Sequence, residues 1–283
     1  MELFFQTFDS ISKENEKRSH FESNILINQQ FYSNFLLTKK LIELIFINIK
    51  MSFPWASQMI EVRSRSGWST KVYEPLIRHR WAYYARDPNQ ALQKLQQLPP
   101  NTIQAILEHL YANTPVARTN LPAFKACKIV DSIPFESTYH RDMSALLEDE
   151  STCDFALLPR DSNDRVNVHR VMLFARSAFF RQKFQENPTM FQFQDPFMGK
   201  SALQMFAGYL YTGRLDPIDP VALVDLFQAG KNYQLRDQEE IDFLAMNALS
   251  KLLSPQNAVE IKSRAEQRNL PEVVSMVQEH FPC

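Results

Sequence analysis

The stretch Val168–Phe180, VHRVMLFARSAFF, sets one histidine, two arginines and a serine into an otherwise apolar run. Such a set could supply a general base, an anion clamp and a nucleophile. A base works only with a nucleophile in reach and a third group to orient it. Ser177 stands between Arg176 and Ala178, without the glycine-flanked elbow that exposes a catalytic serine. Its place before Ala178–Phe184 suits a helix N-cap instead. Neither His169 nor Ser177 is therefore read as catalytic, and no enzyme is expected. His20, His79, His109, His140 and His280 show no H-x-x-x-H spacing, and Cys127, Cys153 and Cys283 no C-x-x-C. No metal site is expected. The five glycines, Gly67, Gly199, Gly208, Gly213 and Gly230, never cluster into a phosphate-cradling loop, so no nucleotide cofactor is expected.

The elements that position these residues belong to an ordinary globular composition. The chain has 283 residues, 45% hydrophobic and 22% charged, enough for one large domain or two of common size. A net charge of −1 gives no global case for nucleic acid or an anionic membrane as partner. The 22 phenylalanines are not interleaved with a basic patch and read as core and interface rather than a base-stacking platform. Arg78-His79-Arg80 reads as a small solvated basic face. Three widely spaced cysteines fit no disulfide framework and point to a reducing compartment, cytoplasmic or nuclear and not secreted. The N-terminus resembles no secretory signal, and no apolar run reaches the roughly 18 residues of a spanning helix.

Residues 1–50 contain neither Pro nor Gly, and the composition changes at Met51. Two readings stand: an N-terminal extension, helical or disordered, or a non-native stretch before a real start at Met51. Farther on, Asp154–Leu158 and Val166–Val168 form a hairpin around the turn cluster Asp161–Asp164, and Met190–Phe193 supplies a third strand. Short helices follow over Val171–Phe174 and Ala178–Phe184. Ser201 is expected to cap a helix over Ala202–Tyr211, closed by Gly213. Asp219-Pro220 opens a helix that carries Leu223 through Tyr233. Helices follow over Glu239–Leu253, from Ser254-Pro255 through Arg268, and from Leu270-Pro271 onward.

The opening stretch has an earlier echo, VYEPLIRHRWAYY at Val72–Tyr84. At a shift of 96, Val72 meets Val168, Arg80 meets Arg176 and Ala82 meets Ala178. At 100, Leu110-Tyr111 meets Leu210-Tyr211; at 103, Phe124–Lys128 meets Phe227–Lys231. The order is kept with small drifts, as loop-length changes would produce in a tandem repeat.

The second half resembles the BTB/POZ family. The residues that carry the likeness are Asp154-Phe155, His169-Arg170, Leu173–Phe180, Tyr209-Leu210-Tyr211-Thr212-Gly213 and Ala229–Tyr233. The resemblance implies an α+β fold, a small sheet flanked by helices, over residues 137–253. Asp154, His169, Arg170, Ser177, Phe180, Tyr209, Tyr211 and Gly213 are then structural motif residues, with His169 buried and paired with Asp154. Residues 51–133 would be a degenerate BTB-like unit, where Tyr73 stands in place of the histidine. The pair over 254–283 looks like the start of BACK helices. The family's partners are other BTB chains or a second copy, through homo- or heteromeric or intramolecular pairing. Many members also dock on a cullin and present substrates for ubiquitylation; others assemble without any ligase role. In the adaptors the cullin surface includes the segment between the third strand and the YLYTG helix, plus the terminal helical pair. Phe184 and Glu186 loosely fit the short apolar-x-Glu contact motif of that region.

Overall fold

The computed structural model describes residues 57–112, 116–129, 138–217, 219–235 and 238–281. The 1–50 extension and Cys283 lie outside them. The described chain opens on an antiparallel hairpin, β1 (Met59–Arg63) and β2 (Ser69–Tyr73), with Ile60 opposite Val72 and Val62 opposite Thr70. Five helices follow: α1 (Glu74–Arg80), α2 (Ala82–Arg86), α3 (Pro88–Gln96), α4 (Pro100–Ala112) and α5 (Leu121–Ala126). Helix α6 (Tyr139–Glu148) leads to a second hairpin, β3 (Phe155–Leu158) with β4 (Val166–Val168). Then come α7 (Arg170–Arg176), α8 (Ala178–Glu186), β5 (Gln192–Gln194) and α9 (Lys200–Thr212). The chain continues through α10 (Pro220–Leu226), α11 (Ala229–Asn232), α12 (Glu240–Leu252), α13 (Ala258–Gln267) and α14 (Pro271–His280). Strand β5 runs parallel to β3, giving the order β4-β3-β5. The fold is α+β, as expected.

Both hairpins turn directly into a helix pair, and α4 matches α9 in length at thirteen residues each. What lies between differs for a local reason. Asp87-Pro88 and Asn187-Pro188 occupy like places. Asp87 caps α3 by accepting from the Gln90 amide at 3.0 Å, and the strong helix formers AlaLeuGlnLysLeuGln continue it. After Pro188 the alternating Met190–Gln194 favours extended chain and becomes β5. The first unit therefore carries two strands and a helix where the second carries three strands.

Several helix boundaries depart from expectation. Helix α9 starts at Lys200 with Gly199 as N-cap, so Ser201 lies inside it. Gly213 does close it, at φ 69°. The helix from Pro220 stops at Leu226, because Gln228 takes a left-handed φ of 65° and starts α11 afresh. A Cβ on Gly230 in α11 would sit 3.0 Å from Gln238 Cα and closer still to its carbonyl, which reserves that place for glycine. The helix expected from Ser254 begins at Ala258. Asp225 fastens the terminal pair: its carboxylate takes Arg264 Nε at 2.8 Å and Nη2 at 2.9 Å.

The core of the second unit is aromatic. Phe155, Phe180, Phe184, Phe193, Phe206 and Tyr233 stack, tilt or meet edge-on at centroid distances between 5.1 and 6.4 Å, a geometry that adds to simple area burial. Ser177 locks it from the side. Its hydroxyl accepts from the Phe180 amide at 3.1 Å and donates to the Tyr233 carbonyl at 2.5 Å. Ser177→Ala removes a cap and orphans a buried carbonyl, and is expected to lower unfolding stability by about 2 kcal/mol in urea titration.

Candidate functional site

The conspicuous cluster of titratable groups forms where β4 enters α7. His169 is the N-cap residue of α7 and is wholly buried. A buried helix N-terminus leaves amides that need acceptors. The His169 amide donates to the Tyr211 hydroxyl at 2.7 Å. His169 Nδ1 lies 2.6 Å from that oxygen and Nε2 lies 2.9 Å from Thr152 Oγ1. Thr152 in turn donates to the Asp149 carbonyl at 3.1 Å. One assignment satisfies the chain throughout: Tyr211 donates to Nδ1, and Nε2–H donates to Thr152.

The imidazole is not paired with Asp154. Asp154 Oδ1 instead accepts from the Arg170 amide at 2.7 Å, capping the same helix start. Burial raises the Asp154 carboxyl, and the Arg170 amide partly offsets this. Helix geometry decides this: the free N–H of the first turn competes for the carboxylate, and the tyrosine serves the imidazole. The Arg170 guanidinium binds the carbonyls of Pro188, at 2.6 Å, and Met190. It lies 5.6 and 5.2 Å from the Phe155 and Phe184 rings. Arg170 thus clamps the chain entering β5.

Cys153 Sγ stands 4.0 Å from both ring nitrogens of His169, which resembles a cysteine–histidine dyad. The electrostatics oppose that chemistry. Burial, with Asp154 next in effect, pushes the thiol up to about 12. Burial pulls the imidazole down to about 4. A reactive dyad needs the reverse, a lowered thiol beside a ready base. Tyr211, Ser177 and Phe180 are buried with it, the first holding the junction, the second capping α8 and the third packing in the aromatic core. Tyr209 donates to Glu240 at 2.7 Å. Among the described residues no group of acids, cysteines and histidines is arranged for a metal.

A corresponding set of bonds occurs where β2 enters α1. The Tyr73 amide donates to the Tyr111 hydroxyl at 2.6 Å, as His169 does to Tyr211. Arg80 Nε donates to the Leu110 carbonyl at 2.8 Å, and Arg176 Nη2 to the Tyr209 carbonyl at 3.3 Å. Trp81 Nε1 reaches the Cys127 carbonyl at 2.8 Å, as Ser177 reaches Tyr233. Of these residues, Arg80, Arg176, Leu110, Tyr111, Tyr211 and Cys127 stand in the matched blocks of the echo and Tyr73 stands in place of His169, whereas Trp81, Ser177, Tyr209 and Tyr233 match nothing in it.

The two units also meet. Helix α6 packs on α9 of its own unit and on α1 of the first. Arg80 Nη1 binds Asp142 Oδ2 at 2.9 Å, with side-chain exposures of 2% and 10%. Thr138 Oγ1 donates to the same oxygen at 2.5 Å, and the Arg80 guanidinium lies 5.1 Å from the Tyr139 ring. The Tyr73 and His169 rings meet edge-on at 6.1 Å. Gln58 donates to the Thr152 carbonyl at 3.2 Å, and His79 Nε2 lies 3.6 Å from Asp149. The expected solvated face at Arg78–Arg80 is therefore wrong for Arg80. A two-residue step on a short helix turns it inward while Arg78 pairs outward with Glu74. No spacing rule marks Asp142 as its partner.

The contact proposed for Phe184 and Glu186 divides. Phe184 is wholly buried, edge-on to Phe155, so it is a core side chain and presents nothing to a partner. Glu186 is exposed, beside Gln182 and Lys183. Nearby, Phe197 in the β5–α9 loop is 38% exposed. Its carbonyl accepts from Arg160 at 3.2 Å, and the Arg268 guanidinium at the end of α13 lies 5.5 Å from its ring.

The family model of the BTB/POZ domain matches residues 143–243. A curated relative, "Regulatory protein NPR4" of Arabidopsis thaliana, is 30% identical over 127 residues, 38% of this chain and 22% of its own length. The chain thus spans about a fifth of that relative. Among solved structures, the BTB domain of human Gigaxonin is 21% identical, with a TM-score of 0.32 over 42% of this chain and 98% of its own. The BTB domain of zebrafish PATZ1 is 14% identical, with a TM-score of 0.32 over 42% and 99%.

The depressed His169 predicts acid sensitivity. The folded imidazole stays neutral down to about pH 4, whereas an unfolded one takes its proton near pH 6.5. Between those values the unfolded state binds more protons, so stability falls as pH falls. Urea titrations from pH 7 to 4 are expected to show a loss of about 3 kcal/mol from this group. His169→Gln should flatten that part of the profile.

Proposed function

We propose that the BTB/POZ domain matched over residues 143–243 is the partner-binding half of an adaptor, paired within one chain to a degenerate copy of itself. BTB domains are protein-interaction modules that pair with one another, and this reading keeps that property while placing both halves on one polypeptide. The observation that carries it is the duplicated junction: the Tyr73–Tyr111 and His169–Tyr211 bonds join corresponding elements. The buried Arg80–Asp142 pair and the shared helix α6 support pairing in cis. The domain limits proposed are 51–133, 137–253 and 254–283, the last a BACK-like beginning, in a protein of the cytoplasm or nucleus.

The proposed partner is a cullin, with the chain holding clients for ubiquitylation. Its support is local. The β5–α9 loop and the terminal pair, the two parts that adaptors of this kind use, lie side by side through Phe197, Arg160 and Arg268. Asp195 holds that loop by accepting from the Phe197 and Met198 amides, each at 2.6 Å. Phe197 thereby offers an aromatic side chain on a fixed backbone, the kind of anchor that dominates interfaces.

Titration calorimetry with a cullin N-terminal fragment is expected to give one fragment per chain. Phe197→Asp should weaken it at least tenfold, about 1.4 kcal/mol, with the thermal transition kept. No binding by a folded chain would contradict the ligase role and favour an assembly scaffold.

A further inference from the structure

Charge is divided unevenly between the units. Residues 57–129 hold ten Lys and Arg against four Asp and Glu; residues 138–253 hold twelve against sixteen. Three cations of the first unit are paired, Arg63 with Glu61, Arg78 with Glu74 and Arg80 with Asp142. Among the described residues Arg65, Arg86, Lys94, Lys125 and Lys128 have no carboxylate within ion-pair distance. Arg65, Lys94 and Lys128, with Lys125 in the same turn as Lys128, lie about the end of α3, and Arg86 precedes its start. Lys94 Nζ donates to the Ala126 carbonyl at 3.1 Å. Lys94 and Lys128 each place Nζ 4.8 Å from the Tyr83 ring centroid. The Arg65 amide donates to the Gln96 carbonyl at 3.1 Å. The result is a basic face with an aromatic centre.

The opposite arrangement occurs at the start of α12. Phe243 is 54% exposed. Glu239 and Asp242 precede it by four and one residues, and Glu272 at the start of α14 is close enough to act on Asp242. Burial, then the like charges of Glu272 and Glu239, push the Asp242 carboxyl up against the pull of the Gln228 amide. Among the described residues no Lys or Arg is within ion-pair distance of these three carboxylates.

We infer that a second copy of the chain is the occupant of the basic face, docking head to tail through its Glu239–Asp242–Glu272 face around Phe243. The two faces are complementary in sign and each has an aromatic centre, and one chain carries both. A foreign anion would explain the first face and leave the second unmatched. The net charge of −1 removes the long-range repulsion that would keep copies apart. Unlike faces on one molecule make a heterologous contact, which leaves an open face at each end and permits growth beyond two chains. The inference rests on the proposed cis pairing in that each chain then acts as one unit with both faces outward.

The test is sedimentation of the full chain against concentration at ~0.05 M and ~0.5 M sodium chloride, where the Debye length falls from roughly 14 to 4 Å. At low salt the mass should rise with concentration past two chains. At high salt it should return to a single chain. Lys125→Glu with Lys128→Glu should hold the chain single at low salt, as should Glu239→Lys with Glu272→Lys. An equimolar mixture of the two variants should associate again, since their faces are matched in reverse. A single-chain mass at low salt overturns the inference and leaves cis pairing intact. A dimer indifferent to salt and to both reversals overturns the inference and contradicts cis pairing as well.

Discussion

The structure depends on how a buried helix start finds a hydrogen-bond acceptor. Each hairpin delivers the N-cap residue of the next helix into the core, where that residue's amide faces no water. An unmet buried amide costs about 1–3 kcal/mol. In both units a tyrosine hydroxyl from the thirteen-residue helix supplies the acceptor, Tyr111 for Tyr73 and Tyr211 for His169. This fixes the long helix against the hairpin, and the helix then sets where α6 lies. From α6 follow the contact with α1 and the seam between units.

The histidine that first suggested chemistry is consumed by this arrangement. Its two nitrogens are held by hydroxyls, its amide by a third bond, and burial keeps it neutral. In the first unit Tyr73 fills the place, and its main-chain bond is the same. The side chains differ, and the bond common to both junctions is the one from the backbone donor. What Tyr73 adds is a ring against His169 across the seam.

Much of the second unit was legible in the sequence because local signals agreed with tertiary demands. Asp219 caps α10, Ser177 caps α8 and Gly213 ends α9. The alternation after Pro188 gave a strand. The misses have physical causes. Gln228 breaks a helix by a left-handed turn that no residue type there announces. The family motif points Asp154 at the imidazole, yet a helix amide holds it. Phe184 fits a docking pattern by type, and only packing shows it inside. Arg80 and Asp142 are 62 residues apart, and nothing in either one's neighbourhood marks the other. Contact between the two halves is a property of the assembled surface, so the likeness of Val72–Tyr84 to Val168–Phe180 is legible in the sequence and the seam between them is not.

The central claim is that both units fold around the same junction bond and that the seam ties them together. Native-state hydrogen exchange at the Tyr73 and His169 amides reads both parts at once. The account predicts that both amides are strongly protected in the full chain and that Arg80→Ala, which strands the buried Asp142, lowers the protection of Tyr73. Exchange of Tyr73 at the rate of an exposed amide, with His169 still protected, would contradict it.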